Sequence, residues 1–215
     1  AVLFDGELRK KIESISTIRT SFEDGIENGQ LFPHYQPIAP LQIGRKFKFE
    51  ALLRWQHPQK GLLGPSYFAA ALSDPRITNK VDRYVLTRAI RELPQFKAFD
   101  VGGICLAVNA TAADLRDHAY MQIISDAIES GKITPSELCI EISEHTVLSD
   151  RDKIAMKNLQ RLFDMGVDIA FDDFGVGFAS LSHLRDLPVT IVKIDKSFID
   201  RIDKEASCHS LVKGI

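Results

Sequence analysis

Six short apolar runs suited to β-strands recur along this chain with helix-like segments between them, and this alternation limits the fold more than any other feature. The runs are FPHYQPI (32–38), FKFEALLRW (47–55), ICLAVNA (104–110), LCIEISE (138–144), DIAFDDF (168–174) and TIVKIDKS (190–197). Helical spacing recurs near 66–73, 79–97, 112–130, 150–165, 178–186 and 206–215. Strands alternating with helices imply βαβ crossovers, so the expected class is α/β with a mainly parallel sheet. An open, doubly wound sheet gathers its ligands at one crevice, whereas a barrel brings all its strand ends to one mouth. Nearly every run here ends in polar residues: Glu50 and Arg54, Asn109, Glu141 and Glu144, Asp172 and Asp173, Lys193 and Asp195. Functional residue types on five consecutive strands favour the barrel. Six runs are two short of the eight in a (β/α)8 barrel, so the chain is expected to stop before the last two strands.

No repeat, low-complexity segment or linker interrupts residues 30–215, which read as one domain. Residues 1–29 read as an N-terminal helix or interdomain connector: Leu8, Ile12, Ile15, Ile18, Phe22 and Ile26 keep helical spacing, and Asn28-Gly29 is a stop signal. The net charge of −2 argues against binding a nucleic-acid polymer, which favours a basic excess. It leaves room for a small anionic ligand held by local charges. The three cysteines show no CxxC spacing, and Cys105 and Cys139 lie within apolar runs. Buried free thiols in a reducing compartment are expected. No run approaches the roughly 18 apolar residues of a membrane span, and no signal peptide opens the chain. The expected location is cytoplasmic, with no membrane contact from this chain.

Side-chain direction sharpens the constellation. In FKFEALLRW a period of two puts Lys48, Glu50, Leu52 and Arg54 on one face. In DIAFDDF the two aspartates point to opposite faces while the strand stays regular, yet both can reach a barrel rim because the chain turns at Gly175. Glu50, Glu141, Asp172 and Asp173 bring four negative charges to that rim, and Asn109 adds a neutral oxygen. Lys193 and Arg54 offset only part of this, so cations are required. An all-oxygen set, without CxxC or HxH, suits Mg²⁺ or Mn²⁺ better than Zn²⁺. Asp172 can bridge two ions, with Asp173 serving the second. A metal pair about 3.5–4 Å apart is a standard device for cleaving phosphodiesters. Lys193 then serves as a donor to the attacking water and Arg54 as a phosphate clamp.

Taken singly, each acid also fits a cap or a surface ion pair; together, five strand ends do not. Glu144 fits a helix cap and a loop brace equally, and Asp195 fits a cap on the turn into SFIDRI. None of the six histidines has a partner at ligand spacing, and Trp55 reads as packing. GVG after a strand also suggests a dinucleotide turn, but Ser180 stands where the third glycine belongs.

EALLRW (50–55) resembles the signature of the EAL domain, the cyclic-di-GMP phosphodiesterase family of bacterial signalling. YQPI (35–38), VNA (108–110), EISE (141–144), DDFGVGFASLSHLRDLP (172–188) and KIDKSFI (193–199) resemble the family's successive blocks in order. The resemblance covers roughly residues 20 to 215. It implies a TIM-like barrel with an antiparallel first strand, and hydrolysis of cyclic-di-GMP to pGpG with two Mg²⁺ or Mn²⁺ ions. It makes Glu50, Asn109, Glu141 and Asp172 ligands of one ion, has Asp172 and Asp173 share the second, and sets Lys193 on the nucleophilic water. Gln36, Leu52 and Arg54 would contact the dinucleotide. Glu144 would support the 173–183 loop, presented by Gly175 and Gly177 and tied in this family to homodimerisation. Residues 1–29 resemble the join after a GGDEF domain. Val176, Ala110-Thr111 and Thr190 depart from the usual Thr, Leu-Ser and Asp or Asn without removing a ligand. The family's further catalytic Glu and its Gln strand would follow beyond Ile215. The alternative function is a degenerate receptor that binds cyclic-di-GMP without cutting it.

Overall fold

Strand order separates the two architectures weighed from the sequence. The computed structural model describes residues 6–42, 46–97, 103–143, 153–175, 187–205, 208–209 and 212–213. Among these residues, seven strands form one sheet: β1 (Leu31–Ile38), β2 (Phe47–His57), β3 (Gly61–Leu63), β4 (Ile104–Ala110), β5 (Leu138–Ser143), β6 (Asp168–Phe174) and β7 (Ile191–Ile194). The order is β1-β2-β4-β5-β6-β7, with β3 attached to β2. β1 runs antiparallel to β2, and every later pairing along that path is parallel. A doubly wound sheet requires a reversal of strand order at its switch point. Among the described residues there is none, so the sheet is an arc of the TIM-like kind with an antiparallel first strand.

The helices are α1 (Gly6–Glu27), α2 (Pro65–Leu72), α3 (Pro75–Lys97), α4 (Ala112–Arg116), α5 (His118–Glu129), α6 (Lys153–Asp164) and α7 (Lys196–Ile199). α3 starts at Pro75 rather than at 79. Proline is pre-set for the first helical turn, and Asp74 just before it accepts the Arg76 N–H at 3.0 Å. The single helix expected over 112–130 is two, because Asp117 leaves helical geometry (φ −74, ψ 113) and caps α5 by accepting the Ala119 N–H. Asp195 caps α7 through the Ser197 N–H at 2.8 Å, the structural role read for it. β3, three residues long, is too short for alternation to reveal. The helix expected over 178–186 lies outside the described residues, as does most of 206–215.

The two faces of the sheet differ in kind. Ile104, Leu106, Val108 and Ala110 of β4, Leu138, Ile140 and Ile142 of β5, and Ile169 and Phe171 of β6 pack into the main core with the helices. The opposite face carries a thin layer of Cys105, Ala107, Cys139 and Ala170 against Ile191. Burial on both faces explains why ICLAVNA and LCIEISE read as continuous apolar runs. Cys105, Cys139 and Cys208 are free and buried, as expected.

α1 enters this core at its C-terminal end. Phe22 is fully buried, stacked on Phe68 (centroids 4.8 Å) and edge-on to Trp55 (5.3 Å), whose own burial confirms packing as its role. Ile18 and Ile26 flank it. Phe22→Leu is expected to cost about 1–2 kcal/mol through lost ring contacts and a small cavity, read as a lower urea midpoint with unchanged slope. An unchanged midpoint would detach α1 from the domain.

Candidate functional site

Above the thin layer, the helix-free face presents one functional side chain from each of five neighbouring strands. These are Glu50 of β2, Asn109 of β4, Glu141 of β5, Asp172 of β6 and Lys193 of β7. They share a face because period-2 alternation leaves their apolar neighbours on the core side. Lys193 Nζ donates to Glu141 Oε2 at 2.5 Å, Asp172 Oδ2 at 3.0 Å and Glu50 Oε2 at 3.2 Å. Asn109 Nδ2 donates to Glu50 Oε1 at 3.2 Å.

Burial sets the electrostatics. Glu141 is 2% exposed, and desolvation lifts its pKa to about 7 against the pull of the Lys193 ammonium, with the Glu50 and Asp172 charges adding to the rise. Burial alone would lower Lys193, but its hydrogen bonds to Glu141 and Asp172 and the charges of Glu141 and Glu50 hold it above its usual value. Fully ionised, three carboxylates against one ammonium leave two negative charges, the complement of one divalent ion. Their oxygens lie within 4.8 Å of one another, near the span of two ligands each about 2–2.5 Å from a shared ion. The all-oxygen donor set therefore fits a hard divalent cation.

Asp173 required more than alternation. Phe171 and Phe174 both reach the core although they are an odd number of residues apart, which a regular strand forbids. The β6–β7 register shifts between them: Phe171 pairs Val192 and Phe174 pairs Ile194, so β6 carries one extra residue. Asp173 absorbs the bulge with φ 55 and bonds through its N–H to Asp172 Oδ1 at 3.0 Å. The aspartates thus do not alternate across a regular strand as the sequence suggested. Asp173 is exposed at the rim; partial burial and the Asp172 and Asp195 charges raise its pKa. Gly175 follows with φ 104, and a Cβ there would lie 2.7 Å from the Phe198 ring. Only glycine suits that position.

Gln36 stands directly opposite Glu50 in the β1–β2 register, Leu52 opposite His34, and Arg54 opposite Phe32. Arg54 does not offset the acids: it donates to the Leu53 carbonyl at 2.8 Å, and no carboxylate pairs with it among the described residues. Glu144 and Gly177 lie outside the described residues, as does most of the 173–183 loop. Two features of this face escaped sequence reasoning. Lys48 and Asp168 pair at 3.5 Å, with Thr190 Oγ1 donating to Asp168 at 3.3 Å. Thr111, capping α4, forms a reciprocal capping box with Asp114; the T-x-x-D spacing directly after a strand was its signal.

The chain matches the family model of the EAL domain over residues 19–215. It is 35% identical over 211 residues to the uncharacterised protein Rv1354c of Mycobacterium tuberculosis, an alignment covering 98% of this chain and 33% of that protein. It is 32% identical over 199 residues to the cyclic di-GMP phosphodiesterase NbdA of Pseudomonas aeruginosa, covering 93% of this chain and 25% of that one. The chain thus spans a third or less of the length of these relatives. Among solved structures, the PaMucR phosphodiesterase in complex with c-di-GMP superposes with a TM-score of 0.81 at 31% identity, over 93% of this chain and 80% of that one. With the family model spanning nearly its whole length and the strand-end residues in place, this chain belongs to the EAL domain family.

Proposed function

We propose that this chain is a cyclic-di-GMP phosphodiesterase domain that opens the cyclic dinucleotide to linear pGpG. The carrying observation is the convergence of Glu50, Glu141 and Asp172 from three strands on Lys193, with ligand oxygens within 4.8 Å. The names of NbdA and of the c-di-GMP-bound MucR structure support the substrate.

Glu50, Asn109, Glu141 and Asp172 would hold one Mg²⁺ or Mn²⁺ ion, and Asp172 with Asp173 a second. Such ions, when bound, stabilise developing charge on the phosphodiester and activate water. The remaining chemistry belongs to the chain. Lys193, held protonated by its carboxylates, donates a hydrogen bond to the attacking water and keeps its oxygen oriented. Arg54, whose guanidinium is not engaged by the acids, is available to a phosphate. Gln36 and Leu52, on the same face beside Glu50, line the approach for the base and ribose. The thin Cys-Ala layer closes the floor against water.

Glu50, Asn109, Glu141, Asp172 and Asp173 are all retained, which favours the enzyme over the receptor alternative. No helix among the described residues is long and apolar enough to cross a membrane. A cytoplasmic setting, a homodimer through the 173–183 loop and an upstream GGDEF domain belong to this proposal. The test is incubation of the full protein carrying this chain with cyclic-di-GMP and Mn²⁺ or Mg²⁺, following pGpG by anion-exchange chromatography. Accumulation of pGpG is expected; absence of product with both metals overturns the proposal.

A further inference from the structure

Four buried side-chain oxygens make no hydrogen bond among the described residues: Asn79 Oδ1, Asp114 Oδ1, Asp117 Oδ2 and Tyr120 Oη, the third of them in an ion pair with Arg83 Nη1 at 3.2 Å. All lie on α3, α4, α5 or the α4–α5 junction. Buried polar atoms left without partners are costly, so their grouping calls for a cause. α4 packs against α3, and the charge of Asp114 acts on Asp82 there. Burial first, then the Asp114 charge, holds Asp82 well above the usual carboxylate range. Burial, then the Asp114 and Asp82 charges, raises the pKa of the Tyr120 phenol.

The other oxygen of Asp114 faces the functional site's own strand. Asp114, 0% exposed, accepts at Oδ2 from the Thr111 N–H (2.8 Å) and the Thr111 hydroxyl (2.6 Å). Its N–H donates back to Thr111 Oγ1 at 3.3 Å. Thr111 is two residues beyond Asn109, in the turn that ends β4. From the opposite side, Asn158 of α6 donates to the Leu115 carbonyl at 2.7 Å and pins α4. Asn109 itself is exposed, and its side chain bonds to Glu50, so the backbone of this turn sets where its amide points. A capping box needs only an exposed acid at this position. Burying that acid completely, with Oδ1 left without a hydrogen bond, goes beyond what capping requires.

We propose that the buried Asp114 carboxylate, acting through Thr111, is a positioning brace that sets Asn109 against Glu50 in the acid cluster. This rests on the metal-site reading above. Mn²⁺ binding, read from the electron paramagnetic resonance signal of free Mn²⁺, tests it in the full protein well below its melting temperature, alongside cyclic-di-GMP turnover. Asp114→Ala is expected to weaken Mn²⁺ binding about tenfold, with a comparable fall in kcat/KM, as for loss of a group that orients a metal ligand. Asp114→Asn can still accept from the Thr111 N–H and hydroxyl through its amide oxygen, and is expected to restore both. If Asp114→Ala does not fold, Thr111→Ala and Thr111→Ser decide: loss in the first and recovery in the second support the brace. Wild-type Mn²⁺ affinity in folded Asp114→Ala, or in Thr111→Ala where the former is lost, overturns it. Failure of Asp114→Asn to recover also overturns it. A wild-type protein that binds no Mn²⁺ overturns the metal-site reading itself, and the brace with it.

Discussion

Replacing Glu50 with alanine is expected to lower cyclic-di-GMP hydrolysis by on the order of a thousandfold or more while the domain remains folded. A bound ion supplies several kcal/mol of transition-state stabilisation, and each 1.4 kcal/mol or so is a factor of ten. The fold should persist because Lys193 keeps Glu141 at 2.5 Å and Asp172 at 3.0 Å, so no buried charge loses its last partner. Asn109 loses the Glu50 acceptor, but it is exposed and can turn to water. Ala51 and the core-side residues of β2 are untouched. The measurement pairs pGpG formation with a circular-dichroism melt. Retained cleavage by a folded variant would remove Glu50 from the metal site.

Lys193→Met should show the opposite balance, with a stability effect that divalent metal reverses. In the metal-free domain this ammonium is the shared partner of three converging carboxylates. Removing one partner of a buried ion cluster leaves charge uncompensated. The expected cost is about 2–4 kcal/mol, toward the lower part of the range for buried pairs because Glu50 and Asp172 keep some contact with water. Part of that cost is relieved by proton uptake at Glu141, whose pKa already stands near 7 with the lysine present. Mn²⁺ binds the folded state selectively, so it should raise the melting temperature of the variant more than that of the wild type. Turnover should fall with loss of the donor to water. A variant as stable as wild type without metal, or equally insensitive to Mn²⁺, would show that Lys193 is not the counter-charge of the cluster.

What could be read from the chain was local. Alternation within FKFEALLRW places Glu50 on the face opposite Phe49 and Ala51 because successive side chains of a strand must diverge. The same rule misplaced Asp173. A bulge adds one residue to β6, and nothing within DIAFDDF announces it; the register shift appears only against β7. The Asp117 break in the helix expected over 112–130 was signalled only by a capping residue inside an apolar pattern that otherwise continued. Asp82 and Asp114 belong to no motif singled out in the sequence, and only the packing of α3 on α4 brings their charges together.

The sequence by itself determined which residue types stand at the ends of successive strands, which face most of them share, and the family to which the chain belongs. These follow from steric rules that act over one or two residues, and from the order of the motifs. Tertiary structure decided how the charges close. Lys193 lies 143, 52 and 21 residues from Glu50, Glu141 and Asp172, yet it bonds all three. Which acid is lifted toward neutrality depends on desolvation and on Coulomb forces between distant segments. Those energies exist only once the sheet has brought the segments together.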